Sequence, residues 1–92
     1  MIPKQFRLMG HTIGVKVIPE SEWTDDDAVG LWNSQNLLIQ VRGGMADQRI
    51  QQAFCHELVH AILDHFGHPI SKDEQFVDTF AGLLHQAWTS IK

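Results

Sequence analysis

One cysteine, Cys55, stands in the whole chain, so no internal disulfide can staple the fold and no cysteine-rich zinc ribbon can form. That scarcity fits a reducing compartment. Basic residues are few as well: seven Lys and Arg against eleven Asp and Glu leave a net charge of -4, which offers no electrostatic footprint for a nucleic-acid partner. Nowhere does an apolar run reach the roughly 18 residues of a membrane span, so no membrane partner is expected. The stretch from Met1 to Gly10 alternates polar and apolar residues around Pro3 and has no apolar core of a signal peptide, so the expected location is cytoplasmic. Heptads and internal repeats are missing too. Five acidic residues crowd into one segment, Glu20, Glu22, Asp25, Asp26 and Asp27. Their spacing lacks the alternating ligands, central glycine and closing glutamate of an EF-hand, so the segment reads as a solvated loop.

What is present suits one small domain over residues 1–92, with 43% hydrophobic residues. A chain this short buries only somewhat over 60% of its unfolded surface, so a bound metal would matter to its stability. Phe6 and Leu8 alternate with Arg7, and Ile13, Val15 and Val17 alternate with Gly14 and Lys16 beyond Gly10 and His11. This predicts a hairpin that Pro19 ends, and Trp23 is expected to anchor the acidic loop to the core. Val29 to Trp32, a turn over Asn33 to Asn36, and Leu37 to Val41 predict a second hairpin.

Gly43 and Gly44 break that pattern, and Asp47 is the expected cap of a helix running to Phe66, where Gly67 and Pro69 stop it. Its apolar stripe is Ile50, Phe54, Leu58, Ala61 and Ile62. A last helix over about Lys72 to Ser90 carries the stripe Phe76, Phe80, Leu83, Leu84, Ala87 and Trp88. The predicted fold is α+β: a small, mostly antiparallel twisted sheet of two hairpins in residues 1–44, then helices at 45–67 and 71–90.

The chemistry concentrates in the first helix. His56, Glu57 and His60 spell H-E-x-x-H. A four-residue step returns to within about 40° of the same helix face, so both imidazoles can reach one metal ion. A catalytic zinc site takes three protein ligands and keeps one position open. Glu57 is the expected base, placed to take a proton from a water that the metal acidifies to a pKa of about 7. Cys55 lies about 100° off the histidine face and reads as a packed helix residue.

The third ligand has two readings. Glu74 stands three residues after Ser71 in capping-box spacing, or it reaches back to complete the site. Asp78, one turn on, shares its face and suits a carboxylate that orients a ligating histidine. His65 lies about 180° from His56 and cannot join the same metal, and His85 sits about 16 Å beyond Glu74 along the helix axis. His68, in the connection between the helices, is placed to contact substrate, and His11 is a weaker candidate.

His56-Glu57-Leu58-Val59-His60, followed by Glu74-Gln75-Phe76-Val77-Asp78 and Phe80-Ala81-Gly82-Leu83-Leu84, resembles the gluzincin class of zinc metallopeptidases. The Glu-x-x-x-Asp spacing is similar to that of thermolysin-like enzymes, and the same helix resembles that of the ImmA/IrrE peptidases. In size the chain looks like the minigluzincins and the short zinc peptidases encoded by bacteriophages. The resemblance covers roughly Val29 to Leu84. It implies a zincin-like fold, Zn2+ on His56, His60 and Glu74, Glu57 as base, Asp78 behind a histidine, and a peptide or protein substrate. It also implies an edge strand near Val29, Gly30, Leu31 and Trp32 that holds extended substrate by strand addition. The larger members supply a Tyr or His from a second subdomain to the reaction's intermediate, whereas this chain has no Tyr. The other function class weighed is a zinc-binding interaction module, phage-derived, that cleaves nothing.

Overall fold

A computed structural model describes residues 2–91. The chain runs through strands β1 (Gln5–Leu8), β2 (His11–Ile18), β3 (Gly30–Asn33) and β4 (Leu38–Arg42), then helices α1 (Asp47–Phe66) and α2 (Glu74–Ser90). Single turns of 3-10 helix sit at Glu20–Glu22 and Pro69–Lys72. The predicted α+β order of sheet, helix, helix is therefore the observed one.

Both hairpins form. Leu8 pairs with His11, leaving a two-residue turn in which Met9 (φ 50) and Gly10 (φ 83) both take the left-handed conformation that a type I′ turn demands. The second turn is held by the Asn33 side chain, whose Oδ1 accepts the N–H groups of Gln35 and Asn36. The two hairpins then join in a way their local patterns do not specify. The strand order is β1-β2-β4-β3, and β2 and β4 run parallel, Val15 opposite Ile39 and Val17 opposite Val41. The sheet is thus mixed, with its two hairpin pairings antiparallel and its central pairing parallel.

Burial accounts for that choice. Ile39 and Val41 of β4 are fully buried beside Ile13 and Val15 of β2, whereas Leu31 and Asn33 of β3 are exposed. The richer apolar strand takes the centre, β3 takes the edge, and the acidic loop carries the chain past β4 to reach it. Trp23 does not anchor that loop in the core. It is half-buried and pins the loop to itself, its indole N–H donating to the carbonyls of Asp25 (2.6 Å) and Ala28 (2.9 Å).

Helix α1 lies across one face of the sheet, where Ala53, Phe54 and Ala61 pack on Ile13, Val15, Ile39 and Val41. Phe6 meets Phe54 edge-on with ring centroids 6.0 Å apart. Ile62, expected in the stripe, is largely exposed. Asp47 begins the helix rather than capping it: Ala46 is the cap residue and supplies no side-chain bond. A first-turn carboxylate still complements the positive helix end. At the other end Gly67 (φ 78) closes a Schellman turn, with Gly67 N–H on Asp64 O and His68 N–H on Leu63 O.

Helix α2 packs on the opposite side of α1 through small contacts, Val77 and Ala81 against Val59, Cys55 and Leu63. Its cap is Asp73, whose Oδ1 accepts the Phe76 N–H at 3.1 Å. Ser71 is not the cap, because the 3-10 turn at Pro69–Lys72 consumes it. The predicted stripe of α2 also sits differently. Val77, Ala81 and His85 are the buried positions, while Phe80, Leu83, Leu84 and Trp88 remain exposed. No helix among the described residues is long and apolar enough to cross a membrane.

Candidate metal centre

The reversal between the helices delivers Glu74 to α1. With Asp73 occupied as the cap, the Glu74 carboxylate at the first residue of α2 is free to reach across. One oxygen, Oε2, lies 3.1 Å from His56 Nε2, and the other, Oε1, lies 2.8 Å from His60 Nε2. The two imidazole centroids are 5.0 Å apart on one helix face, as the four-residue step requires. Ligand atoms from the three residues all fall within 4.8 Å of one another.

These side chains can hold a metal ion. Zinc bonds of about 2.0–2.1 Å at tetrahedral angles separate neighbouring ligand atoms by about 3.3 Å, so the three side chains, whose ligand atoms lie within 4.8 Å of one another, need to close in on a common centre. Two imidazoles and a carboxylate are also a donor set of hydrolytic zinc sites. On the far side of His56, Asp78 Oδ1 lies 3.5 Å from Nδ1, the ring nitrogen not facing Glu74.

Glu57 occupies a different environment from the ligands. It is buried, at 8% exposure, and pressed against β3 so closely that a methyl group at Gly30 would sit 3.0 Å from its Cγ and its Oε2. The backbone N–H of Trp32 donates to its carboxylate. Burial pushes its pKa up to about 7; His56 beside it opposes the rise, the Glu74 charge adds to it, and the Trp32 N–H opposes it. Cys55, behind the histidine face and half-buried toward α2, has its thiol pKa raised by burial, as a packed rather than reactive cysteine would.

The metal group opens into a cleft of about 380 Å³ lined by Gly30, Leu31 and Trp32 on the strand side and by His56, Glu57, His60 and Glu74 on the helix side, with Ala28 at the end. β3 forms its wall and is an edge strand. The Val29 carbonyl is spent on Arg42 N–H at 2.9 Å, and backbone polar groups alternate in direction along an antiparallel pair. Leu31 therefore also faces β4, whereas the backbone groups of Gly30 and Trp32 face the free edge. Gly30 is the site residue whose role composition alone could not assign. Its signal was a glycine inside a strand run, which marks a close approach.

The remaining histidines lie elsewhere. His68 does not line the cleft; its Nδ1 accepts the Ile70 N–H at 3.1 Å and caps the short 3-10 turn. His85 is buried against Gln51, Nε2 to Oε1 3.3 Å. His11 and His65 hydrogen-bond to each other at 3.1 Å.

Comparison with known protein families, with characterised proteins and with solved structures finds no match. The reading of the site therefore rests on its own geometry.

Proposed function

We propose that this protein is a zinc-dependent peptidase built on a minimal gluzincin-like plan. The observation that carries the reading is the joint placement of two carboxylates: Glu74 bridges the Nε2 atoms of His56 and His60, while Glu57 sits buried between them and an edge strand. One carboxylate is a ligand and the other is kept off the ligand set. When bound there, zinc polarises a substrate carbonyl and lowers the pKa of water toward neutrality.

The chain's own residues do the rest. Glu57 takes the proton of the attacking water on its carboxylate and delivers it to the departing amine nitrogen. Gly30 and the carbonyl of Trp32 present edge-facing backbone groups to an extended peptide, which pairs with them as an added strand, while the Trp32 N–H stays on Glu57. Asp78, 3.5 Å from His56 Nδ1, is the carboxylate placed to orient that ring.

One observation favours a second reading, an interaction module that holds zinc and cleaves nothing. Among the side chains lining the cleft, none beyond the ligands and Glu57 offers a polar group to the reaction's oxyanion, because the Trp32 indole N–H is already bonded to Asp64. One experiment decides between the two: cleavage of a diverse peptide library by wild type and Glu57→Gln, with and without a chelator, alongside zinc content. The peptidase reading expects wild-type cleavage that the chelator abolishes, and a Glu57→Gln variant that keeps its zinc but cleaves at least about a hundredfold more slowly. Zinc retained by both with no cleavage by either selects the interaction module. A purified chain that binds no zinc removes both readings.

A further inference from the structure

A second cavity has no part in the metal centre. It measures about 560 Å³ and is lined chiefly by Ile2, Pro3, Phe54, Leu58, Leu84 and Trp88. Beside it, α2 carries an apolar stripe that the described residues leave partly open: Phe80 is 49% exposed, Leu83 62%, Leu84 36% and Trp88 74%, with Ile91 beyond the helix end at 68%. Together these side chains offer on the order of 500 Å² of apolar surface, at the upper end of what a monomer leaves open.

Two properties of the stripe identify what covers it. The first is charge. From Thr79 to Ser90 the only ionisable side chain is His85, which is buried. A partner chosen by charge finds nothing to read here, while a second copy, itself at -4, meets no like charge at the contact. The second is symmetry. A two-fold interface joins the same patch on both subunits, so the patch must complement itself. Leu84 lies midway between Phe80 and Trp88, which are eight residues or about 12 Å apart along the axis. A two-fold axis at Leu84 sets Phe80 of each copy against Trp88 of the other.

We propose that the exposed face of α2 is a homodimer interface, in which the α2 helices of two copies pack antiparallel about Leu84. The paired stripes bury about 1,000 Å², and the adjoining groove raises that toward the roughly 1,200 Å² at which stable interfaces begin. Glu74, the α2 residue that lines the metal cleft, lies ten residues or about 15 Å along the axis from Leu84, so the cleft stays clear of the centre of the dimer seam.

The test is the mass of the full-length chain by light scattering and sedimentation velocity across the micromolar range. Wild type is expected at twice its 10.5 kDa chain mass at the upper end. Trp88→Glu and Phe80→Glu should each weaken dimerisation by about thirtyfold or more, the loss of a hot-spot aromatic, with unchanged circular dichroism and metal content. Because both positions are exposed, a folded variant is expected. In a Cys55→Ala background, Leu84→Cys should oxidise readily to a cross-linked dimer, and Thr79→Cys, about 140° round the helix, should not. A wild type that stays at 10.5 kDa throughout overturns the proposal, as does a dimer that both glutamate variants leave intact.

Discussion

Two pairs of histidines involve different faces of α1, and they use their nitrogens in opposite ways. His56 and His60 leave the helix four residues apart, and both direct Nε2 at the Glu74 carboxylate. His11 and His65 come from the first hairpin and the last turn of α1 and use each other instead. His65 Nδ1 lies 2.8 Å from Ala61 O, to which it can only donate, so its Nε2 accepts the proton of His11 Nδ1 at 3.1 Å. The ring of His65 also leans on Trp32, centroids 5.9 Å apart. The second pair is a closed donor–acceptor chain that clasps the hairpin to the helix. What separates a metal centre from a clasp is the nearby carboxylate, not the number of histidines.

Substitution of ligands should expose the contrast most sharply. His60→Ala or Glu74→Ala should weaken zinc binding by more than about a hundredfold, beyond the 10–100-fold typical of outer partners. His65→Ala should leave zinc affinity unchanged and cost about 1 kcal/mol of stability for its lost hydrogen bonds. Calorimetric titration with zinc and denaturant melts measure the two effects. Equal loss of zinc from both pairs would erase the distinction.

The next effect comes from the wall of the cleft. Gly30→Ala places a methyl 3.0 Å from Glu57, and side-chain overpacking of this kind costs about 1–3 kcal/mol. Peptide cleavage should fall while zinc affinity holds, since the displaced group is not a ligand. Unchanged cleavage would show that Glu57 tolerates a shift and that its position against β3 is incidental.

The smallest effect is a pH dependence confined to the metal-free protein. The Glu57 pKa is raised from 4.5 to about 7 in the fold, so its contribution to stability is fullest below pH 4.5 and is lost as pH rises through about 7, where the buried group ionises. Glu57→Gln carries no charge to bury. Its stability relative to wild type should therefore improve from about pH 5 to about pH 8, as denaturant melts at both values would record. Zinc loading should flatten the trend, because a bound cation favours the ionised carboxylate.

The two helices, the two hairpins and the triad were legible because each rests on short-range spacing. H-E-x-x-H needs only the helical repeat, and Gly67 announces its own left-handed turn. The parallel seam between β2 and β4 was not legible, because hairpin signals end at the hairpin and the seam depends on which strand has more to bury. The capping of α2 was misread for a related reason: Ser71 and Asp73 are both good caps, and only the 3-10 turn that uses Ser71 decides between them. The apolar stripe of α2 signals a helix but not its buried side, because periodicity marks a face without saying what lies against it. Val77 and Ala81 suffice to dock the helix, which leaves Phe80, Leu83, Leu84 and Trp88 outside.

The docking of α2 on α1 gives the Glu74 bridge a second meaning. Glu74 is 18 residues from His56 along the chain, so an ion held between them closes a loop that the unfolded chain would otherwise leave open. Cross-linking of that span removes conformational freedom from the denatured ensemble much as a covalent tie does. In a chain with a single cysteine, a metal ion held there would take the place of the disulfide the chain cannot make. Depletion of the ion would then loosen α2 before the sheet, making the order of the C-terminal third a readout of metal supply.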